Sequence, residues 1–134
     1  MKTKGIFQTF AIILLAGFSC TILFDGCKKE KNTAVNFTLD LSNSNYSSLN
    51  TPGTYLYYDN VLVIRYNTST FAALEEYCTK DNYTVAYNPT IGFIVCSGCG
   101  SRYNIDGTVA FGGAPKPLTK YKTNLSGSLL TVSQ

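Results

Sequence analysis

Histidine and tryptophan are both missing from this 134-residue chain, and methionine occurs once, as Met1. Without imidazole, no His-ligated metal site and no His-based acid–base catalysis can be assembled from this chain alone. Charge is also scarce, 14% of residues against roughly 25% in an average globular protein. The formal charge of +3 arises wholly upstream of residue 32. From Val35 onward, Arg65, Lys80, Arg102, Lys116, Lys120 and Lys122 are balanced by Asp40, Asp59, Glu75, Glu76, Asp81 and Asp106. A neutral domain has no electrostatic footprint for a phosphate backbone, so nucleic-acid binding is set aside. Helical periodicity is absent too. No stretch of twelve residues after Lys31 repeats its apolar positions every three to four residues, and no internal repeat or low-complexity block occurs. What is present is a length suited to one domain plus attachments, ten tyrosines and five cysteines.

The remaining pattern is that of strands. Val35, Phe37, Leu39 and Leu41 alternate with polar residues, as in a half-buried strand. Tyr55 to Tyr58 and Val61 to Tyr66 flank Asp59-Asn60, a hairpin signal. Ser42 to Asn50 reads as a polar loop and Thr51-Pro52-Gly53 as a turn, while Phe71 to Leu74 fits a strand or a connection. Thr84 to Tyr87 and Ile91 to Val95 continue the series, Ile105 to Val109 holds a tight turn, and Leu118 to Lys122 and Leu129 to Val132 flank Ser126-Gly127. Many short strands between Gly- and Asn-rich turns predict an all-β antiparallel sandwich or partial barrel. Tyr55, Tyr57, Tyr58 and Tyr66 are read as β-formers whose rings cover the sheet, ahead of a carbohydrate-stacking surface.

Met1 to Lys4 is basic, Gly5 to Phe24 is largely apolar, and Asp25-Gly26-Cys27 is followed by Lys28-Lys29-Glu30-Lys31. A small residue before a cysteine with a polar tether after it resembles a bacterial lipoprotein leader. That resemblance implies a signal peptide over 1–26, acylation of Cys27, and a tether over 27–34 leading into a domain over 35–134. The partner of the first element is then the membrane, through its lipid. An uncleaved membrane anchor, or acylation at Cys20, is the competing reading. Lys28 differs from the Asp that retains such proteins at the inner membrane. The expected location is therefore the cell envelope, at the outer membrane on its periplasmic side or at the surface, facing an oxidising compartment.

Three further thiols remain. Cys78 and Lys80 form Cys-x-Lys, and Cys96-Ser97-Gly98-Cys99-Gly100-Ser101-Arg102-Tyr103 follows after fifteen intervening residues. Together with the hairpin at Asp106-Gly107 and the loop Gly112-Gly113-Ala114-Pro115-Lys116-Pro117-Leu118, this frame resembles the Rieske iron–sulfur domain over roughly residues 45–133. The resemblance implies a β fold with two cluster-binding loops, a [2Fe–2S] cofactor and one-electron transfer with a redox or envelope protein partner. Cys78 and Cys96 match its two Cys ligands, while Lys80 and Cys99 stand at its two His positions. Ser101 and Tyr103 match the residues that hydrogen-bond the cluster sulfurs. With both imidazoles replaced, a normal Rieske cluster is excluded, because Lys stays protonated up to about pH 10.

Several expectations follow. A structural or interaction module without a cluster would leave Cys78 and Cys96 near enough to form a disulfide. An atypical iron–sulfur or zinc site would use Cys78, Cys96 and Cys99, with Asp81 or Ser97 as a possible oxygen ligand. A thiol–disulfide couple at Cys96 and Cys99 is the third option. An enzyme is not expected, since no nucleophile–base or acid–base pair can be assembled.

Overall fold

The computed structural model describes residues 34–134. The leader 1–26, the acylation candidate Cys27 and nearly all of the tether lie outside the described residues. Ten strands follow: β1 (Asn36–Asp40), β2 (Thr54–Tyr58), β3 (Val61–Arg65), β4 (Phe71–Glu75), β5 (Val85–Asn88), β6 (Phe93–Cys96), β7 (Arg102–Tyr103), β8 (Val109–Phe111), β9 (Lys120–Ser126) and β10 (Leu129–Ser133). One antiparallel sheet has the order β1-β10-β9-β4-β3-β2, and a second has the order β5-β6-β7-β8. The all-β architecture read from the sequence is the one observed.

Side-chain alternation explains the packing. Strands β3 and β4 are buried along nearly their whole length because both faces are covered. On one face Leu62, Ile64, Ala72 and Leu74 meet Val85, Ile94 and Tyr103 of the smaller sheet. On the other, Val61, Val63, Phe71 and Ala73 meet Leu39, Leu130 and Val132 of β1 and β10, so the large sheet curls into a half-barrel. Asp59 and Asn60 both adopt positive φ, 50° and 61°, the conformation of a two-residue turn that matches strand twist. Tyr58 consequently pairs with Val61.

Some local expectations need correction. Ser44–Asn50 is a 3-10 helix rather than a loop. Asn43 caps it by accepting from the Asn45 N–H at 3.0 Å, and Leu49 pins it to the half-barrel core. Strand β6 starts at Phe93 rather than Ile91, whose side chain is 42% exposed in the preceding turn. Strand β9 starts at Lys120, because Leu118 is spent closing the loop against the Gly107 carbonyl. The tyrosines serve the fold. Tyr55 and Tyr66 pack on the inter-sheet core, Tyr57 donates to the Val85 carbonyl at 2.9 Å, and Tyr58 stacks against Phe37. Among the described residues, no helix is long and apolar enough to cross a membrane.

This architecture carries two loops to one end of the small sheet. One runs from the end of β4 into β5, its sides joined by the Tyr77–Thr84 bridge. The other joins β6 to β7, whose register aligns Val95 with Arg102.

Candidate metal centre

Cys78 and Asp81 lie on the first loop, and Cys96 and Cys99 on the second. One ligand atom from each comes within 4.8 Å of all the others. Cys78 Sγ and Cys99 Sγ are 3.6 Å apart, and the Cys96 thiol donates to Asp81 Oδ1 at 3.3 Å. Cys78 and Cys96 are buried, and both belong to the inter-sheet core. The site is therefore anchored on its inner side by packing and framed on its outer side by loops.

The surrounding groups treat the thiols differently. Burial pushes the Cys96 thiol up to about 12, and its contacts with Cys78 and Asp81 act in the same direction. Cys99 moves the opposite way. Its sulfur lies 3.1 Å from the Ser101 hydroxyl, and this hydroxyl and the Ser101 backbone N–H favour the thiolate, lowering its pKa. Burial penalises the Asp81 carboxylate, but the Tyr83 N–H, at 3.2 Å, and the neighbouring thiols outweigh that penalty and lower its pKa. Tyr103 is fully buried, with its hydroxyl 3.2 Å from Cys78 Sγ and accepting from the Thr79 N–H at 3.3 Å. Among the described residues, no buried side-chain nitrogen or oxygen lacks a hydrogen-bond partner.

The structure thus brings Cys78, Cys96, Cys99, Ser101 and Tyr103 together and adds Asp81. Lys80 does not join them. It is exposed, with its ammonium beside Gly113, 2.9 Å from where a Cβ at that glycine would stand. Ser97 is also exposed and turns to the Thr84 carbonyl, at 3.4 Å. The expected Cys78–Cys96 disulfide is not formed, and Cys78, Cys96 and Cys99, the cysteines among the described residues, are free thiols. Cys96 is turned to Asp81 and Cys78 to Tyr103 and Cys99, and even the 3.6 Å pair exceeds a bonded S–S distance of about 2.05 Å. In a redox couple at Cys96 and Cys99 the attacking thiolate would be Cys99, whose pKa is lowered, while the Cys96 thiol is pushed up to about 12.

The loop from Gly112 to Leu118 braces the site from the side. Ala114 and Leu118 pack on the inter-sheet core, and the Thr79 hydroxyl donates to the Lys116 carbonyl at 2.7 Å. Gly112 has φ +93°, and a Cβ there would stand 2.7 Å from Ser101 Cα and 2.8 Å from its Oγ. Gly112→Ala is therefore expected to cost at least about 2 kcal/mol, from backbone strain plus overpacking. Its thermal midpoint should fall well below that of Gly113→Ala, where only the flexible end of Lys80 stands in the way.

No protein-family model and no curated protein matches this chain. Solved structures do. The plasma-membrane Rieske protein of Synechocystis PCC 6803 aligns over 60% of this chain and 84% of its own, with a TM-score of 0.53 and 25% identity. The ferredoxin of carbazole 1,9a-dioxygenase from Nocardioides aromaticivorans aligns over 62% and 86%, with a TM-score of 0.53 and 19% identity. A structure of reduced oxygenase with oxidised ferredoxin in carbazole 1,9a-dioxygenase aligns over 61% and 82%, with a TM-score of 0.52 and 21% identity. The domain is Rieske-like. In it the two cluster-type loops are Cys78–Tyr83 and Cys96–Ser101, and the bracing loop stands beside them. The donor set of this Rieske-like domain nevertheless does not fit the family's [2Fe–2S] cluster. Two thiolates and two imidazoles are required there, whereas three thiols and a carboxylate are present here, and the ammonium at one His position is no ligand.

Proposed function

We propose that this chain is a metal–thiolate protein of the cell envelope, lipid-anchored at Cys27, that carries single electrons to or from a redox partner and is not an enzyme by itself. The observation that carries this reading is the convergence of Cys78, Asp81, Cys96 and Cys99, four potential ligand atoms within 4.8 Å, on the loops that hold the cluster in the Rieske fold. Iron bound there would supply a one-electron Fe(III)/Fe(II) couple, and thiolates with local hydrogen-bond donors would set its potential. The Ser101 and Tyr103 hydroxyls, 3.1 Å and 3.2 Å from Cys99 and Cys78, stand where such donors act. The redox complex of oxygenase and ferredoxin seen for carbazole 1,9a-dioxygenase supports a protein partner for a small domain of this shape. The envelope location rests on the leader-like sequence and its Cys27.

A second reading is a structural or interaction module with no metal. Its support is that each thiol already has a partner within the protein, so the loops hold together unaided. Anaerobic purification of the full chain in detergent separates the two. Bound iron and a reversible one-electron wave are expected. A protein that stays iron-free and colourless after incubation with ferrous iron would overturn the electron-transfer reading in favour of the interaction module.

A further inference from the structure

The two loops differ in sequence yet fold alike. The Cys78 N–H donates to the Tyr83 carbonyl at 2.8 Å, and the Cys96 N–H donates to the Ser101 carbonyl at 2.9 Å, the same offset of five residues. The Asn82 N–H returns to the Cys78 carbonyl at 3.0 Å, and the Gly100 N–H returns to the Cys96 carbonyl at 3.1 Å. The closing residue is left-handed in both, with φ 60° at Asn82 and 71° at Gly100, and Asn and Gly are the residues that tolerate it best. The third residue after each leading cysteine therefore occupies an equivalent place, Asp81 in one loop and Cys99 in the other. The ligand frame is thus Cys78-x-x-Asp81, fourteen residues, then Cys96-x-x-Cys99. Two knuckles, each offering ligands three residues apart, resemble the paired arrangement of a single-ion site, with Asp81 in place of one thiol.

The geometry points to one metal ion in this site, held tetrahedrally by Cys78, Asp81, Cys96 and Cys99, in place of a two-iron cluster. This rests on the metal-binding reading above and names its cofactor class as a borderline-soft divalent ion, ferrous iron for the electron-carrying role, with zinc and cobalt as probes of the same ligand set. With metal–sulfur bonds of about 2.3 Å, two thiolates on one tetrahedral ion stand about 3.8 Å apart, and a thiolate and a carboxylate oxygen slightly less. Two of the six pairs stand at 3.6 Å, for Cys78 and Cys99, and 3.3 Å, for Cys96 and Asp81, and all four ligand atoms lie within 4.8 Å of one another. In the Rieske frame Cys78 and Cys99 would serve different irons, with the sulfide-bridged core between them. A 3.6 Å gap matches two ligands of one shared ion. Lys80, at the position of a Rieske ligand, lies on the outside of its knuckle, whereas Asp81 faces the thiols.

The test uses the full chain, purified in detergent and stripped of metal. Titration with Co(II) should saturate at one ion per chain, with the intense visible bands of tetrahedral cobalt thiolate, and zinc should displace it one for one. Reconstitution with ferrous iron and sulfide should leave one iron and no acid-labile sulfide. Asp81→Ala should weaken cobalt binding by at least about tenfold. Lys80→Ala should leave it unchanged. Asp81→Cys should keep the one-to-one ratio and strengthen the sulfur-to-cobalt charge transfer, which settles the matter if the Ala variant fails to fold. Two irons with two sulfides per chain would overturn the single-ion site while leaving a metal centre in place. Loss of binding in Lys80→Ala but not in Asp81→Ala, or no effect at Asp81, would also overturn it. Failure of the unaltered chain to hold cobalt, zinc or iron would overturn the metal-binding reading itself.

Discussion

Cys96→Ser should abolish metal binding, with affinity falling by more than about 100-fold, beyond what loss of a mere supporting partner costs. Cys96 is the thiol that faces Asp81 across the two loops, so its loss opens the ligand set in the middle. Serine keeps a hydroxyl that can donate to the same carboxylate and adds no volume, so the metal-free fold should persist, with an unchanged far-ultraviolet spectrum. The pH dependence sharpens the prediction. A protonated thiol cannot ligate, and burial has pushed Cys96 up to about 12, so at neutral pH the metal must displace its proton. Binding to the unaltered chain should therefore weaken as pH falls, by about tenfold per pH unit for each proton displaced. Calorimetric titration at two pH values in buffers of different ionisation enthalpy measures that release directly. Retention of high affinity by Cys96→Ser, or an affinity flat in pH, would remove Cys96 from the ligand set.

Much of this fold was legible because its strongest signals are local. The apolar run from Val61 to Ile64 and the alternation from Val35 to Leu41 each name a strand, and Asp59-Asn60 names the turn its positive φ values require. The cysteine spacing located both loops of the site. What spacing could not show is which neighbour of Cys78 turns inward. The Rieske frame draws attention to Lys80, two residues on, yet the side chain that faces the thiols is one residue later. The reversal is made by the left-handed Asn82 and the return bond to the Cys78 carbonyl, both features of backbone geometry. The pair Asp81-Asn82 beside Cys99-Gly100 carried a trace of it, since Asn and Gly share the tolerance for positive φ. The missing disulfide has a similar origin. Nearness of Cys78 and Cys96 follows from the fold, but the direction of each Sγ is decided by Asp81, Tyr103 and Cys99. The 3-10 helix was hidden because a polar segment with a single buried residue, Leu49, has no periodicity to read.

Tyr103 joins the core to the site, and two substitutions should separate its roles. Tyr103→Ala removes a fully buried ring packed between the sheets and should cost about 3–5 kcal/mol, enough to unfold a marginal domain of this size. Tyr103→Phe keeps the ring and removes only the hydroxyl. The Thr79 N–H then loses its acceptor, at 3.3 Å, and the expected cost is about 1–3 kcal/mol, read as a lower denaturation midpoint. The same hydroxyl lies 3.2 Å from Cys78 Sγ. Burial first, and the Cys78 contact second, raise its pKa above the ordinary tyrosine value, so it stays protonated and able to donate throughout the physiological range. A donor to a metal thiolate withdraws charge from sulfur and favours the reduced metal. Its removal should lower the reduction potential of the iron-loaded protein as well as its stability. Thr79→Val gives the comparison, since it disturbs the loop and its 2.7 Å bond to the Lys116 carbonyl without removing the donor to Cys78. A potential that falls in Tyr103→Phe but holds in Thr79→Val assigns the hydroxyl to the metal. Equal potentials in both would leave Tyr103 a core residue whose hydroxyl serves the loop alone.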